Sequence, residues 1–401
     1  MKKVALMTAS TLALCGCFGE DDKQDGNAAN SYVAQLISSD FSSSQIATGS
    51  ITDDRTATEG YFEQEASDYT IDVYGDYVYQ IGRFNIDTIA RVNTKESLLL
   101  PEYEYSLAED ESSSSNVYQI IQTSETKAYL IRYGKDSIQI VDPSADEENF
   151  VTGSIDLSEY TPEGNTVPTM SSGVIVDDKL FVAMQRIDTY ANGGALNTPY
   201  LAVIDTTTDT EIDTQEGIDG FKGIELNASN PEYLDTDGTY VYVTGRGDYG
   251  SNSGALDRIA VADFSLTNII DGTTFANALN DDQGDDDATN DVYYHIRSIA
   301  IVDDTAFVSI NLEVGFTNNE TLLKTFSLSA PSTFTDIAPA ALSGKKISFI
   351  KAGPKRETLW VAIDDAEAPD VVVLNEDATQ NGVNIEFSQP VKEIEFTSLD
   401  D

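Results

Sequence analysis

The sequence predicts an all-β chain closed into a seven-bladed β-propeller of four-stranded antiparallel blades, and three observations carry that expectation. First, six stretches repeat one plan, in which two strands of alternating apolar residues are joined by a polar turn. They begin near Tyr77, Lys127, Lys179, Tyr240, Thr305 and Leu359, a period of about 55 residues. Second, the alternation is period two and rich in Tyr, Val, Ile and Phe, and no stretch beyond the first thirty residues keeps a helical period for long. Third, each end of the chain carries strands left over from those six units, and together they complete one more.

The strands can be assigned in order, A to D from the channel outward. In blade one, YVAQLISSDFSSSQIATGSI (32–51) and GYFEQEA (60–66) supply strands B, C and D, while VKEIEFTS (391–398) supplies strand A. A ring sealed by both chain ends has no free sheet edge to aggregate. In blades two to seven, an apolar strand precedes each repeated pair: YTIDVY, VYQIIQ, GVIVDD, YLDTD, IRSIAIV and KISFIKA. A fourth strand follows each pair: LLPEYEYS, FVTGSIDL, IDGFKGIEL, NIIDGTTF, FTDIAPAA and VNIEFSQ.

The amino terminus reads as an export signal. Lys2 and Lys3 form a basic start, Val4 to Leu14 an apolar run, and Leu14-Cys15-Gly16-Cys17 a cleavage region, giving a signal over 1–16, a polar tether over 17–30 and the propeller over 31–398. The apolar run is too short for a permanent membrane helix. Leu14 and Gly16 ahead of Cys17 resemble the lipobox of bacterial lipoproteins. That resemblance implies a diacylated, palmitate-bearing Cys17 anchored in outer-membrane lipid, since Phe18 stands where an inner-membrane retention signal would place Asp. The alternative is an ordinary secretory signal with an incidental cysteine. Cys15 and Cys17 are the only cysteines, so no disulfide staples the domain.

Asp and Glu number 69 against 23 Lys and Arg, a net charge of −46. Such a surface excludes nucleic acid as a partner and repels anionic lipid head groups, which leaves membrane attachment to acyl chains. Solubility in a saline habitat and affinity for divalent cations both account for the acidity.

Propeller topology places the B-to-C and D-to-A connections on one face. Arg83, Arg132, Arg186 and Arg246 end strand B in successive blades, and Arg297 begins the next inner strand, so five of the nine arginines fall on that face. A guanidinium fork suits carboxylate, phosphate or sulfate. With Tyr133, Tyr249 and Tyr294 nearby, the expected ligand is an anionic small molecule or glycan. The competing expectation is that these arginines pair with Asp or Glu of adjoining blades. The loops 187–198 and 247–256 and the connection 271–291 enlarge the same face, whereas the turns VDD, TDG and VDD opposite stay short.

Within the long connection, NDDQGDDDATND (280–291) sets acidic side chains around Gly284, and Asp281, Asp285, Asp287 and Asp291 are candidate calcium ligands. No register supplies both the glycine and the terminal Glu of an EF-hand loop, so a solvated acidic loop is the other reading. His295 is the only histidine, which rules out transition-metal sites with several imidazoles and forces any Ser-His-Asp triad to use it. No catalytic residue is assigned.

AVIDTTTDTEI (202–212) resembles the core of the bacterial YVTN/YncE-like propeller repeat, in which an apolar strand ends at Asp and a Thr-rich turn leads on. IQIVDPSADEENF and IAVADFSLTNII echo it. The resemblance implies the architecture and leaves the activity open. One class of function is a lipid-tethered binding or assembly module that captures a ligand or docks on an outer-membrane receptor. The other is a lactonase-like calcium-dependent hydrolase or a quinone-dependent dehydrogenase.

Overall fold

A computed structural model describes residues 30–397 except 53, 97–99, 110–112, 189–196, 217–219, 274–291, 315–316, 331–332 and 338. Seven antiparallel sheets form a closed ring. In blade one, Val391–Thr397 is strand A and pairs with Ser31–Ile37, which is followed by Ser44–Ser50 and Thr58–Gln64. The strand A segments of blades two to seven are Tyr69–Tyr74, Val117–Ser124, Met170–Val176, Pro231–Thr236, Val292–Val302 and Ile347–Ala352. The all-β propeller with its two-ended closing blade is therefore the fold of this chain.

Packing explains why the sequence reads as it does. Each of seven hydrophobic clusters straddles one pair of neighbouring blades. Strand B of blade four shows the logic: Leu180, Val182 and Met184 pack toward blade three, whereas Phe181 and Ala183 pack toward blade five. Successive side chains alternate faces, and both faces are covered by another blade, so the strand is apolar throughout.

Side chains also lace neighbouring blades together at every joint, through an inner strand on at least one side. Glu393 accepts from the Ile71 amide, Asp72 from Ile120 and Gln119 from Gly173. Ser171 donates to the Pro231 carbonyl, Asp235 accepts from the Ile301 amide, Thr321 accepts from Ile347, and Ser348 donates to Val391. These bonds satisfy inner-strand groups that no further strand could reach.

The Asp-Thr signature has a local cause. Asp205 ends strand C and its Oδ1 accepts from the Thr207 and Thr208 amides and the Thr207 hydroxyl. Asp142, Asp263 and Asp377 repeat this Asx-turn in blades three, five and seven.

Two elements depart from expectation. The fourth position of blade four is split: Thr210–Glu211 and Ile224–Glu225 both pair with Tyr200–Asp205. Tyr160 enters between them, its hydroxyl accepting from the Gly223 amide at 2.7 Å, and a Cβ on Gly223 would lie 2.8 Å from that oxygen. In blade six, strands A and B run beyond the apolar pattern, to Val292 and to Val314, because their ends are hydrogen-bonded to each other as a hairpin ladder.

Candidate functional site

The inner strands enclose a central cavity of about 1850 Å³. Among the described residues, seven Lys and Arg and eight Asp and Glu line it, although acids outnumber bases three to one in the whole chain. Cations are therefore concentrated in the channel.

Four of them gather at the face shared by the B-to-C and D-to-A connections, in two groups. Arg83 follows strand B of blade two, and its Nε and Nη2 donate to Asp68 Oδ1 at 2.8 and 2.6 Å. Lys392, from the closing strand, reaches the same oxygen at 3.4 Å. On the other side, Arg246 Nε donates to Glu232 Oε1 at 2.7 Å, and Arg297 Nη1 lies 3.0 Å from Glu232 Oε2. Each group thus holds two cations to one carboxylate. Asp188 and Asp248 also border the cavity but are tied into their own loops, Asp188 by Asn165 and Asn197, Asp248 by the Tyr249 amide.

The electrostatics follow from this crowding. Burial, aided by repulsion from Arg83, lowers the Lys392 ammonium to about 8. Against the effect of burial, Arg83 and Lys392 hold the Asp68 carboxyl below its ordinary range. Buried Arg246 Nη1 has no hydrogen-bond partner among the described residues. Aromatic rings support the guanidinium planes: Arg83 lies 4.6 Å from the Tyr118 ring centre, and Arg246 lies 4.4 Å from that of Tyr249. Tyr118 in turn stacks on Tyr133 at 4.7 Å.

The predicted site residues divide accordingly. Arg83, Arg246, Arg297, Tyr133 and Tyr249 line the cavity. Arg132 does not: it is 3% exposed, paired with Glu109 and bonded to Ser137 of its own blade. Arg186 donates to the Tyr160 and Thr198 carbonyls and packs over Tyr200 and Phe221, at the outer part of blade four. Tyr294 is buried in the cluster between blades five and six. Cys17 and Asp281, Asp285, Asp287 and Asp291 lie outside the described residues. Sequence reasoning missed Lys392, Asp68 and Glu232. Lys392 was legible only as an inner position of the closing strand, and Asp68 and Glu232 as two acids among 69.

His295 is buried beside the mouth. Its Nδ1 donates to the Arg246 carbonyl at 2.7 Å, and its Nε2 meets the Glu313 carboxylate. Glu313 also accepts from the Gly250 amide at 3.3 Å, and Asn252 accepts from the Tyr294 amide at 2.9 Å. These bonds fix the loop that carries Arg246 and Tyr249 onto blade six.

Deeper in the channel lies a second charged cluster, where Lys351 pairs with Glu395 and Glu393 accepts from Thr70. Burial, reinforced by Glu393 and Glu395, pushes the Asp72 carboxyl well above its ordinary range. At the far opening, Arg356 of blade seven bridges to Asp235 of blade five at 2.8 Å. Among the described residues no three of His, Cys, Asp and Glu converge as a metal site.

No protein-family model and no curated protein matches the chain. Solved structures do. The Pseudomonas aeruginosa periplasmic gluconolactonase superposes with a TM-score of 0.59 at 10% identity, covering 92% of this chain and 100% of its own. A Bacteroides uniformis protein provisionally named a 6-phosphogluconolactonase gives 0.56 at 11%, covering 92% and 99%. A Sulfolobus tokodaii protein described as a hypothetical selenium-binding protein gives 0.57 at 10%, covering 92% and 93%. At such identities the likeness is one of fold.

Proposed function

We propose that this protein is a non-enzymatic binding module that captures an anionic ligand in the mouth of its channel, held at the outer membrane by an acylated Cys17. The observation that carries this reading is the pairing of two cations with one carboxylate on each side of the mouth, in a chain of net charge −46. Guanidinium groups supported on tyrosine rings are rigid and partly dehydrated, so an anion replaces little water and costs little side-chain entropy. Thermal-shift titration of the full chain with carboxylates, phosphates and sulfates against neutral analogues tests it. Salt-sensitive stabilisation by anions, lost in Arg83→Gln with Arg246→Gln, is expected; no response to any anion overturns it. Metabolic palmitate labelling that survives Cys17→Ser would remove the anchor from the proposal.

A second reading, a propeller hydrolase, draws on the deeper cluster. Asp72 and Glu395 are carboxyls whose protonated forms are favoured by burial, as a general acid requires. Turnover of an aldonolactone by the purified chain, abolished by Asp72→Asn, would put this reading ahead of the first.

A further inference from the structure

The two cationic groups at the channel mouth carry the same charges, two cations to one carboxylate, but stand on different parts of the ring. Arg83, Lys392 and Asp68 come from blades one and two, whereas Arg246, Arg297 and Glu232 come from blades five and six. Going round the ring of inner-strand contacts, blades three and four separate them on one side and blade seven on the other. They therefore face each other across the opening. Both groups border the same cavity, Arg83 and Lys392 on one wall and Glu232, Arg246 and Arg297 on the other.

Each group is internally short of one negative charge. Asp68 Oδ1 serves both Arg83 and Lys392, and the Lys392 contact at 3.4 Å is a loose one. Glu232 is shared between Arg246 and Arg297, and Arg246 Nη1 is left buried without a partner among the described residues. A single anionic group satisfies one such triad. Seated at one triad, it leaves the cations of the other, which stand on the opposite blades, without an added counter-charge.

From this we infer that the ligand is two-headed: a dianion with two separated monoanionic groups, one for each triad, joined by a body that spans the mouth. The inference rests on the proposed anion site and narrows its ligand class. The span is walled by Tyr118, Tyr133, Tyr233 and Tyr249, so an apolar or planar body is favoured over a strongly hydrated one. Once one head is bound, the other is presented to its triad at high effective concentration, which makes the gain depend on length.

The test titrates the full chain by calorimetry, at neutral pH and low salt, with linear dicarboxylates of increasing length and with the monocarboxylates that match them. At one length the dicarboxylate is expected to bind about tenfold or more tightly than its monocarboxylate, with shorter and longer members weaker. Arg83→Gln and Arg246→Gln should each remove that advantage, reducing the dianion to the monoanion's affinity, while monoanion affinity changes by about threefold or less because the other triad remains. Where Arg246→Gln melts at a lower temperature than the parent, Arg297→Gln tests the same triad. Dicarboxylates binding no better than monocarboxylates at every length would overturn the two-headed ligand and leave the anion site standing. Loss of all monoanion binding in one triad variant alone would also overturn it. Binding of neither class would remove the anion site itself.

Discussion

Lys392 lies 3.4 Å from the same Asp68 oxygen that Arg83 holds at 2.6 Å, so one carboxylate serves two cations from far-separated parts of the chain. The ammonium is consequently the weaker partner, and burial with Arg83 brings it to about 8. An added anion favours its charged form. Anion binding near pH 8 should therefore take up protons, and affinity should fall as pH rises through that value. Calorimetry in buffers of different ionisation enthalpy reads the uptake, and Lys392→Met should abolish it.

The same residue sets a stability trend in the free protein. The folded chain releases the Lys392 proton near pH 8 and the unfolded chain only near the ordinary lysine value, so between the two the unfolded state binds more protons. Stability from this site rises with pH across that window and is lost as pH falls through it. Denaturant melts at successive pH values should show the rise in the parent and a flatter profile in Lys392→Met.

Glu211 should behave in the opposite way with respect to its own window. Burial raises its carboxyl to about 7, with the Tyr160 hydroxyl as its donor. Between the ordinary Glu value and 7 the folded state binds more protons, so stability falls as pH rises, by on the order of 1 kcal/mol. Melting temperature against pH should decline over this range and level out in Glu211→Gln.

His295 has an oxygen partner on each ring nitrogen, the Arg246 carbonyl and the Glu313 carboxylate. His295→Leu leaves Glu313, whose side chain is 3% exposed, without its partner, and should cost about 3 kcal/mol in urea denaturation. The double variant His295→Leu, Glu313→Leu should recover most of that loss, because the uncompensated buried charge is gone. Equal destabilisation in both variants would assign the loss to packing.

Ring closure depends on Val391–Thr397, which pairs with Ser31–Ile37 and contributes Val391 and Ile394 to the core between blades seven and one. A chain ending at Pro390 should expose that strand edge and aggregate. Size-exclusion chromatography would show it, and a monodisperse, folded monomer would contradict the closure argument.

The architecture was legible because its determinants are local. Period-two alternation and strands apolar on both faces recur from unit to unit, with an Asp-led turn after strand C in blades three, four, five and seven, and inter-blade packing such as that of Phe181 and Leu180 demands the apolar faces. The site was legible only in part. Arg83, Arg246 and Arg297 reach the channel as their positions at strand ends suggest, but Arg132 and Arg186, at equivalent positions, turn to partners in their own blade or its outer strands. Strand position fixes the height of a side chain on the wall and not the direction it takes, which the nearest acceptor decides.

What the sequence determined by itself was the number of blades, their order and the seam between the chain ends, since each follows from repetition along the chain. Only the tertiary structure brought Lys392 to Asp68, 324 residues away, and set Arg297 beside Glu232 of the preceding blade. Charge balance at the mouth depends on distances across the ring, and a linear pattern carries no measure of those.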